Sequence, residues 1–216
     1  MSWMSVRSCH IDASKCGVAS LPYHPWFRRA VRRLGRGRAR QLAGWVDEVV
    51  ARGAAVLDVG SGLGQVAHEL RSCGHRVVTL DPRYRPIEGE PHLWGSAGAL
   101  PLADASFDVV LFGFVLHHIP ASLHLSVLRE ARRVARGQVV LLEDTFASNH
   151  ERRRTMFFDS LFNLEFRGHP HSNRTSAGWL DLLAEGGFCP RLHWERKVTA
   201  FGVFPMRQAL LAGTVP

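Results

Sequence analysis

Cysteine is scarce in this chain, with four residues, Cys9, Cys16, Cys73 and Cys189, and no CxxC pair among them. The scatter excludes a disulfide framework and a zinc ribbon, and it predicts reduced thiols and no metal. Long hydrophobic runs are also missing. The longest obvious one, Val109 to Leu116, has strand length and falls far short of the roughly 20 residues that cross a bilayer. Residues 1–17 hold no hydrophobic signal core, so a cytoplasmic location with no membrane partner is expected. No internal repeat or low-complexity linker interrupts the 216 residues, which predicts a single domain over 1–216.

Positive charge is abundant instead. The formal net charge is +8, and the excess is local. Arg28, Arg29, Arg32, Arg33, Arg36, Arg38 and Arg40 crowd one segment, and Arg152, Arg153 and Arg154 form a second cluster. A solvated helix face accounts for both. Nucleic acid is the sharper alternative, and it is disfavoured because the aromatic interleaving of a stacking platform is mostly missing. A hydrophobic content of 46% supplies a real core and excludes general disorder.

The hydrophobic pattern alternates along the chain. Residues 1–20 are an irregular leader, and 26–40 are basic and weakly amphipathic, broken by Gly35 and Gly37. A helix over 40–51 is predicted from Leu42, Trp45, Val46, Val49 and Val50, with Gly53 as its stop. Strands follow at 55–59, 76–80, 108–113 and 138–143, with helices at 65–72 and 122–134. Strands separated by helices imply right-handed crossovers and a parallel, doubly wound α/β sheet. Residues 146–178 are polar and rich in His, Arg and Asn, an insertion placed to form a substrate wall. A helix at 177–185 and two strands at 191–197 and 201–211 close the chain.

One stretch carries the chemistry: Val56-Leu57-Asp58-Val59-Gly60-Ser61-Gly62-Leu63-Gly64. An apolar strand enters a turn with three alternate glycines, where backbone can approach a ligand closely, and a helix N-terminus follows. Such a strand–turn–helix serves several nucleotide cofactors. Three details narrow it. The third glycine comes one residue sooner than in GxGxxG, Asp58 sits inside the strand end, and Asp81 ends the next strand, where a carboxylate accepts from ribose hydroxyls.

With these residues the chain resembles the class I S-adenosylmethionine-dependent methyltransferases, in particular the small-molecule branch called type 11. The resemblance covers roughly residues 54–145, the cofactor-binding core. Beyond the loop it is carried by Thr79-Leu80-Asp81, by Leu100-Pro101 through Phe107-Asp108-Val109-Val110, by Val115-Leu116-His117-His118-Ile119, and by the helical segment Leu128 to Val134. It implies a Rossmann-like seven-stranded sheet, mostly parallel with an antiparallel last strand. It also implies S-adenosylmethionine as cofactor, released as S-adenosylhomocysteine. The methionine end would lie at Gly60, Ser61, Gly62 and Gly64, with Asp58 either holding its ammonium or capping the loop. Asp81 and Pro82 would take the ribose, Ser96 and Ala97 the adenine, and Gly113, Phe114 and His118 the far wall. At the adenine position the chain departs from the family: Gly95-Ser96-Ala97-Gly98 replaces the usual Gly-Asp-Ala-Glu, so a charge-assisted contact is lost.

Methyl transfer needs alignment of nucleophile, methyl and sulfur, plus a base when the acceptor carries a proton. The candidate bases are His117, His118, His169 and His171, with Asp144; Glu143 beside it caps a loop or reaches the acceptor. The acceptor wall is expected from Asp159, Asn163, His169, His171, Asn173 and Arg174, with Tyr23 of the leader (1–40) as a lid. Pro170 pushes His169 toward extended geometry, which would set His169 and His171 on one face. There they could converge on one ligand or, with Asp144 or Asp159, form a His/carboxylate metal site; substrate recognition or base catalysis and plain loop structure are the alternatives. The expected activity is methylation of a small molecule. Its rivals are methylation of RNA or protein through the basic 28–40 segment, a cofactor-binding scaffold without catalysis, and a nicotinamide oxidoreductase, which the shortened loop disfavours.

Overall fold

The computed structural model describes the backbone of residues 25–83, 89–163, 170–200 and 204–216. The chain divides into two compact units, Met1–Gly35 and Arg36–Pro216, and the second holds every strand. Five helices and seven strands are present among the described residues: α1 (Pro25–Asp47), β1 (Ala55–Val59), α2 (Gln65–Ser72), β2 (Arg76–Leu80), β3 (His92–Leu93), β4 (Phe107–Gly113), α3 (His124–Val134), β5 (Ala135–Thr145), α4 (Asn149–Asn163), α5 (Ser176–Glu185), β6 (Cys189–Ala200) and β7 (Phe204–Thr214).

The strands form one sheet in the order β3-β2-β1-β4-β5-β7-β6. β1 to β5 pair in parallel, and β7 runs antiparallel to both β5 and β6. The expected α/β sheet with an antiparallel last strand is therefore the observed one. The order reverses between β1 and β4, and the loops leaving those strands diverge there to open a crevice.

Alternation along each strand divides the apolar side chains between two cores. Leu57, Val59, Val139 and Leu141 join one core with Leu128, Ala131, Val134, Trp179 and Leu183 of α3 and α5. Val56, Val140 and Leu142 join the other with Leu42, Ala43, Val46, Ala67 and Leu70 of α1 and α2. Burial on both faces explains why these strands read as continuous apolar runs.

Several elements differ from their sequence expectation: β3 was not expected, β6 is longer at both ends and β7 lies three residues later, and three further differences have a physical reason. α1 runs unbroken through Gly35 and Gly37 and ends at Asp47; Gly53, at φ 71°, serves the turn before β1. Interior glycine costs about 1 kcal/mol against alanine, and burial of Leu42, Ala43 and Val46 offsets it. Within the polar stretch 146–178, where no element is expected before residue 177, α4 occupies Asn149–Asn163. β5 begins three residues early, and its register against β4 shifts between Phe107 and Val109, the distortion that lets the chain pass Gly137. A Cβ there would lie 2.7 Å from the Asp108 carbonyl oxygen.

Gly213 of β7 is held as closely. A Cβ at this position would sit 2.7 Å from Cβ of Phe188 and 3.3 Å from Leu183 Cδ2. Gly213→Ala is expected to cost about 1–3 kcal/mol by overpacking, read as a lower urea midpoint with an unchanged m-value. An unchanged midpoint would mean that Phe188 yields freely.

Candidate functional site

The turn after β1 is shaped by its glycines. Gly60, Gly62 and Gly64 have φ of 71°, 53° and 70°, a region that side chains rarely adopt. Gly60 N–H donates to Leu80 O at 2.7 Å, which ties the turn to the end of β2. A Cβ on Gly60 would come within 2.6 Å of Val115 Cγ2, so the loops after β1 and β4 touch here without room for a side chain. Gly62 N–H donates to Asp81 Oδ2 at 2.9 Å, and Arg83 N–H to Asp81 Oδ1 at 2.7 Å.

A cavity opens beside this turn at the carboxyl ends of β1 and β4. Asp58, Gly60, Ser61, Gly113 and Phe114 line it, over an apolar floor that includes Leu42, Val46 and Leu142. Burial pushes the Asp58 carboxyl up to about 7, with Arg71 opposing and Asp81 adding to the rise. Ser61 Oγ is buried and has no hydrogen-bond partner among the described residues. A lone carboxyl, an unsatisfied hydroxyl and a glycine cradle fit the amino-acid end of S-adenosylmethionine. Pro82 and Ser96 are exposed, and Ala97 packs against the core. Ser96 Oγ accepts only a long 3.4 Å bond from Gly98 N–H. A wider depression among Ala55, Arg71, Arg76, Pro91 and Phe107 lies where strands begin, the wrong edge of an open α/β sheet for a ligand.

On the other side of β4 the organising group is Glu143. Its Oε1 accepts from Val115 N–H (3.1 Å) and Leu116 N–H (2.8 Å), and its Oε2 lies 2.6 Å from His117 Nδ1. The carboxylate thus fixes the 3₁₀ turn Leu116–His118 and orients the first histidine of the pair. His117 Nε2 in turn lies 3.3 Å from Asp159 Oδ1 on α4. Burial opposes a charge on His117, yet Glu143 and Asp159 together outweigh it and push the ring up to about 10. An imidazolium donates at both nitrogens, which suits a ring held between two carboxylates.

Asp159 gathers the other histidines too. His118 Nε2 is 3.8 Å from Oδ1, and His171 Nδ1 is 3.7 Å from Oδ2. The segment carrying His171 is docked by Ser172, whose N–H donates to His117 O and whose Oγ reaches Ile119 O at 2.6 Å. His124 of α3 reads the same carbonyls, with Nε2 2.9 Å from Leu116 O and 3.0 Å from Ile119 O. Asn173 follows, buried, with neither Nδ2 nor Oδ1 partnered among the described residues. The Arg174 guanidinium lies 5.8 Å from the Trp179 ring.

The structure therefore joins His117, His118, Asp159 and His171, and it sends Asp144 elsewhere. Successive strand residues face opposite sides, so Asp144 leaves the histidines to Glu143. Asp144 Oδ1 accepts from Gln208 Nε2 at 2.8 Å, and Gln208 Oε1 accepts from Arg38. Burial is the main cause that raises Asp144 to about 6. The extended geometry expected around Pro170 also fails at His171, which has φ 43°. Tyr23, His169 and the Asn163 side chain lie outside the described residues. Ser172, His124 and Arg38 were not singled out from sequence as site residues; none belongs to a motif, and only contact reveals them.

Comparison with known proteins agrees with the fold. The methyltransferase-domain family matches residues 57–142. An uncharacterized methyltransferase of Mycobacteroides abscessus is 30% identical over 181 residues, 74% of this chain and 68% of that protein. Among solved structures, the YcgJ protein of Bacillus subtilis superposes with a TM-score of 0.64 at 15% identity, covering 80% of this chain and 97% of that one. The 1,6-didemethyltoxoflavin-N1-methyltransferase of Burkholderia thailandensis, solved with its substrate and S-adenosylhomocysteine, gives a TM-score of 0.60 at 21% identity, covering 82% and 79%.

The raised Asp58 carboxyl has a consequence for stability. A carboxyl whose folded pKa lies above its unfolded value contributes stability below about pH 4. That contribution is lost as pH rises toward the folded value of about 7. Asp58→Asn removes the loss. Relative to wild type, the variant should gain stability steadily from pH 4 to 7 in urea unfolding and level off above. A difference that does not change across this window would contradict the buried, uncompensated carboxyl.

Proposed function

The chain belongs to the class I S-adenosylmethionine-dependent methyltransferases, type 11, and on that premise we propose that it methylates a small-molecule acceptor held between the turn after β4 and α4. The observation that carries this reading is the pairing of two sites across β4. On one side is the glycine-lined cavity with Asp58; on the other is the histidine cluster on Asp159. The bound sulfonium supplies an activated methyl carbon to a nucleophilic atom.

The residues of this chain do the rest. Asp58, as a carboxylate, would hold the cofactor's ammonium, and Ser61 Oγ and the side-chain-free backbone of Gly60, Gly62 and Gly64 would surround its amino-acid end, the glycine N–H groups themselves being spent on Leu80, Asp81 and Ser61. Asp81, presented at the end of β2 beside Pro82, takes the ribose. Ser96 and Ala97 flank the adenine with weaker polar contacts than a carboxylate would give, so apolar packing carries more of that end. Gly113 and Phe114 wall the cavity toward β4.

Acceptor recognition falls to the second site. His118 is 30% exposed on its side chain, whereas Asp159 is 6% exposed, so His118 is the histidine placed to meet an incoming hydroxyl, amine or thiol and take its proton. His171 and the unsatisfied Asn173 amide, which both donates and accepts, orient the acceptor. The small-molecule acceptor of the Burkholderia enzyme supports this class of substrate.

Calorimetry tests the reading directly. Wild type should bind S-adenosylmethionine and S-adenosylhomocysteine and give no heat with NADH. Asp81→Ala should weaken both by about 10- to 100-fold, the worth of hydrogen bonds to a charged acceptor. His171→Ala should leave cofactor affinity unchanged. Tight NADH binding with no response to the sulfonium ligands would sink the assignment.

A further inference from the structure

We propose that His117, His118 and Asp159 form a binding site for one divalent transition-metal cation of the zinc type. The donor atoms are already close to a coordination geometry. A tetrahedral ion with ligands about 2.0–2.1 Å away holds neighbouring donors about 3.3–3.4 Å apart. His117 Nε2 lies 3.3 Å from Asp159 Oδ1, His118 Nε2 lies 3.8 Å from the same oxygen, and all three donors fall within 4.8 Å of one another. Binding replaces the proton that His117 Nε2 holds toward Asp159, and His118, at the end of a short turn, has to close in.

The surroundings match what a metal site requires outside its ligands. A metal-bound histidine is held by a hydrogen bond from its other nitrogen, and His117 Nδ1 has that partner in Glu143 Oε2 at 2.6 Å. Glu143 is itself pinned by Val115 and Leu116 N–H, so the ring has a fixed orientation. His117 and Asp159 side chains are 1% and 6% exposed, whereas His118 is 30% exposed. Two buried ligands and one partly open one leave room for an exchangeable fourth ligand, the pattern of catalytic rather than structural zinc. His171 Nδ1 lies 3.7 Å from Asp159 Oδ2, beside the carboxylate's second oxygen but beyond hydrogen-bond reach.

The donor set also selects the ion. Two imidazoles and one carboxylate suit zinc and its first-row neighbours, whereas magnesium and calcium demand oxygen ligands. No spacing motif announces the site, since the turn after β4 and α4 are brought together only by folding. That is why the cysteine pattern pointed away from any metal. The site lies on the acceptor side of the cleft and takes His118 Nε2, so a bound ion and proton acceptance by His118 exclude each other; the inference concerns metal binding alone and does not rest on the proposed activity.

The experiment is zinc titration of the full chain after chelation and desalting, followed by calorimetry. Wild type should bind one zinc ion with a Kd below about 10 μM and give no heat with magnesium chloride. His118→Gln and Asp159→Asn should each weaken zinc by about 10-fold or more, with unchanged far-UV circular dichroism. His68→Gln, which removes a histidine near Glu90 on another face, should leave zinc affinity as it was. Absence of saturable binding below about 10 μM, or binding undiminished in both cluster variants, overturns the site. S-adenosylhomocysteine titrated into the same samples separates the two claims: retained cofactor binding without zinc binding removes the metal site and leaves the methyltransferase reading standing.

Discussion

The buried carboxylate of Glu143 is the contact on which the histidine cluster depends. A charge inside the sheet is tolerable only when its lone pairs are filled, and here two backbone N–H groups and one imidazole fill them. In return the turn after β4 has one conformation. That turn exposes the carbonyls of Leu116, His117 and Ile119, which receive Ser172 and His124. The segment after α4 is thereby anchored, and His171 is delivered to Asp159. One carboxylate at the end of a central strand thus positions groups from four separate elements.

The period of a strand separates the two halves of the site. Glu143 and Asp144 are neighbours in sequence and face opposite sides of the sheet, so each serves a different group of partners. Glu143 belongs to the histidines. Asp144 belongs to a chain through Gln208 to Arg38, whose guanidinium also lies over the Trp45 and Phe114 rings. Phe114 lines the glycine-lined cavity, so this second chain braces α1 against the cavity wall. The molecule places the glycine-lined cavity and the histidine cluster on either side of the strand that ends between them.

Legibility in the sequence followed the physics of each signal. β1, α2 and β2 were readable to the residue because apolar runs flanked by glycine allow one interpretation. The glycine turn, Asp58 and Asp81 were legible because their spacing is local. α4 was not, because its buried stripe is polar: Thr155 and Asp159 face inward where an amphipathic helix would show aliphatics. α1 was cut short on paper because glycine propensity was weighed without the burial that outweighs it. Asp159 was legible as a candidate but not as the centre of a cluster, since its histidines come from segments far apart in the chain. His171 adopts a left-handed conformation that no rule for a residue after proline anticipates.

The position of β7 bears on how the chain reaches this state during synthesis. β7 follows every other element of the sheet, yet it occupies an interior place between β5 and β6. Until it emerges, β5 is an open edge whose backbone groups lack their outer partner, and β6 has no strand beside it at all. The parallel half from β3 to β5, with the glycine turn, has its strands available before that moment. Gln208, the link between Asp144 and Arg38, arrives on the same strand. The cofactor half of the molecule is therefore translated first, and the strand that closes the sheet also delivers the link that braces it.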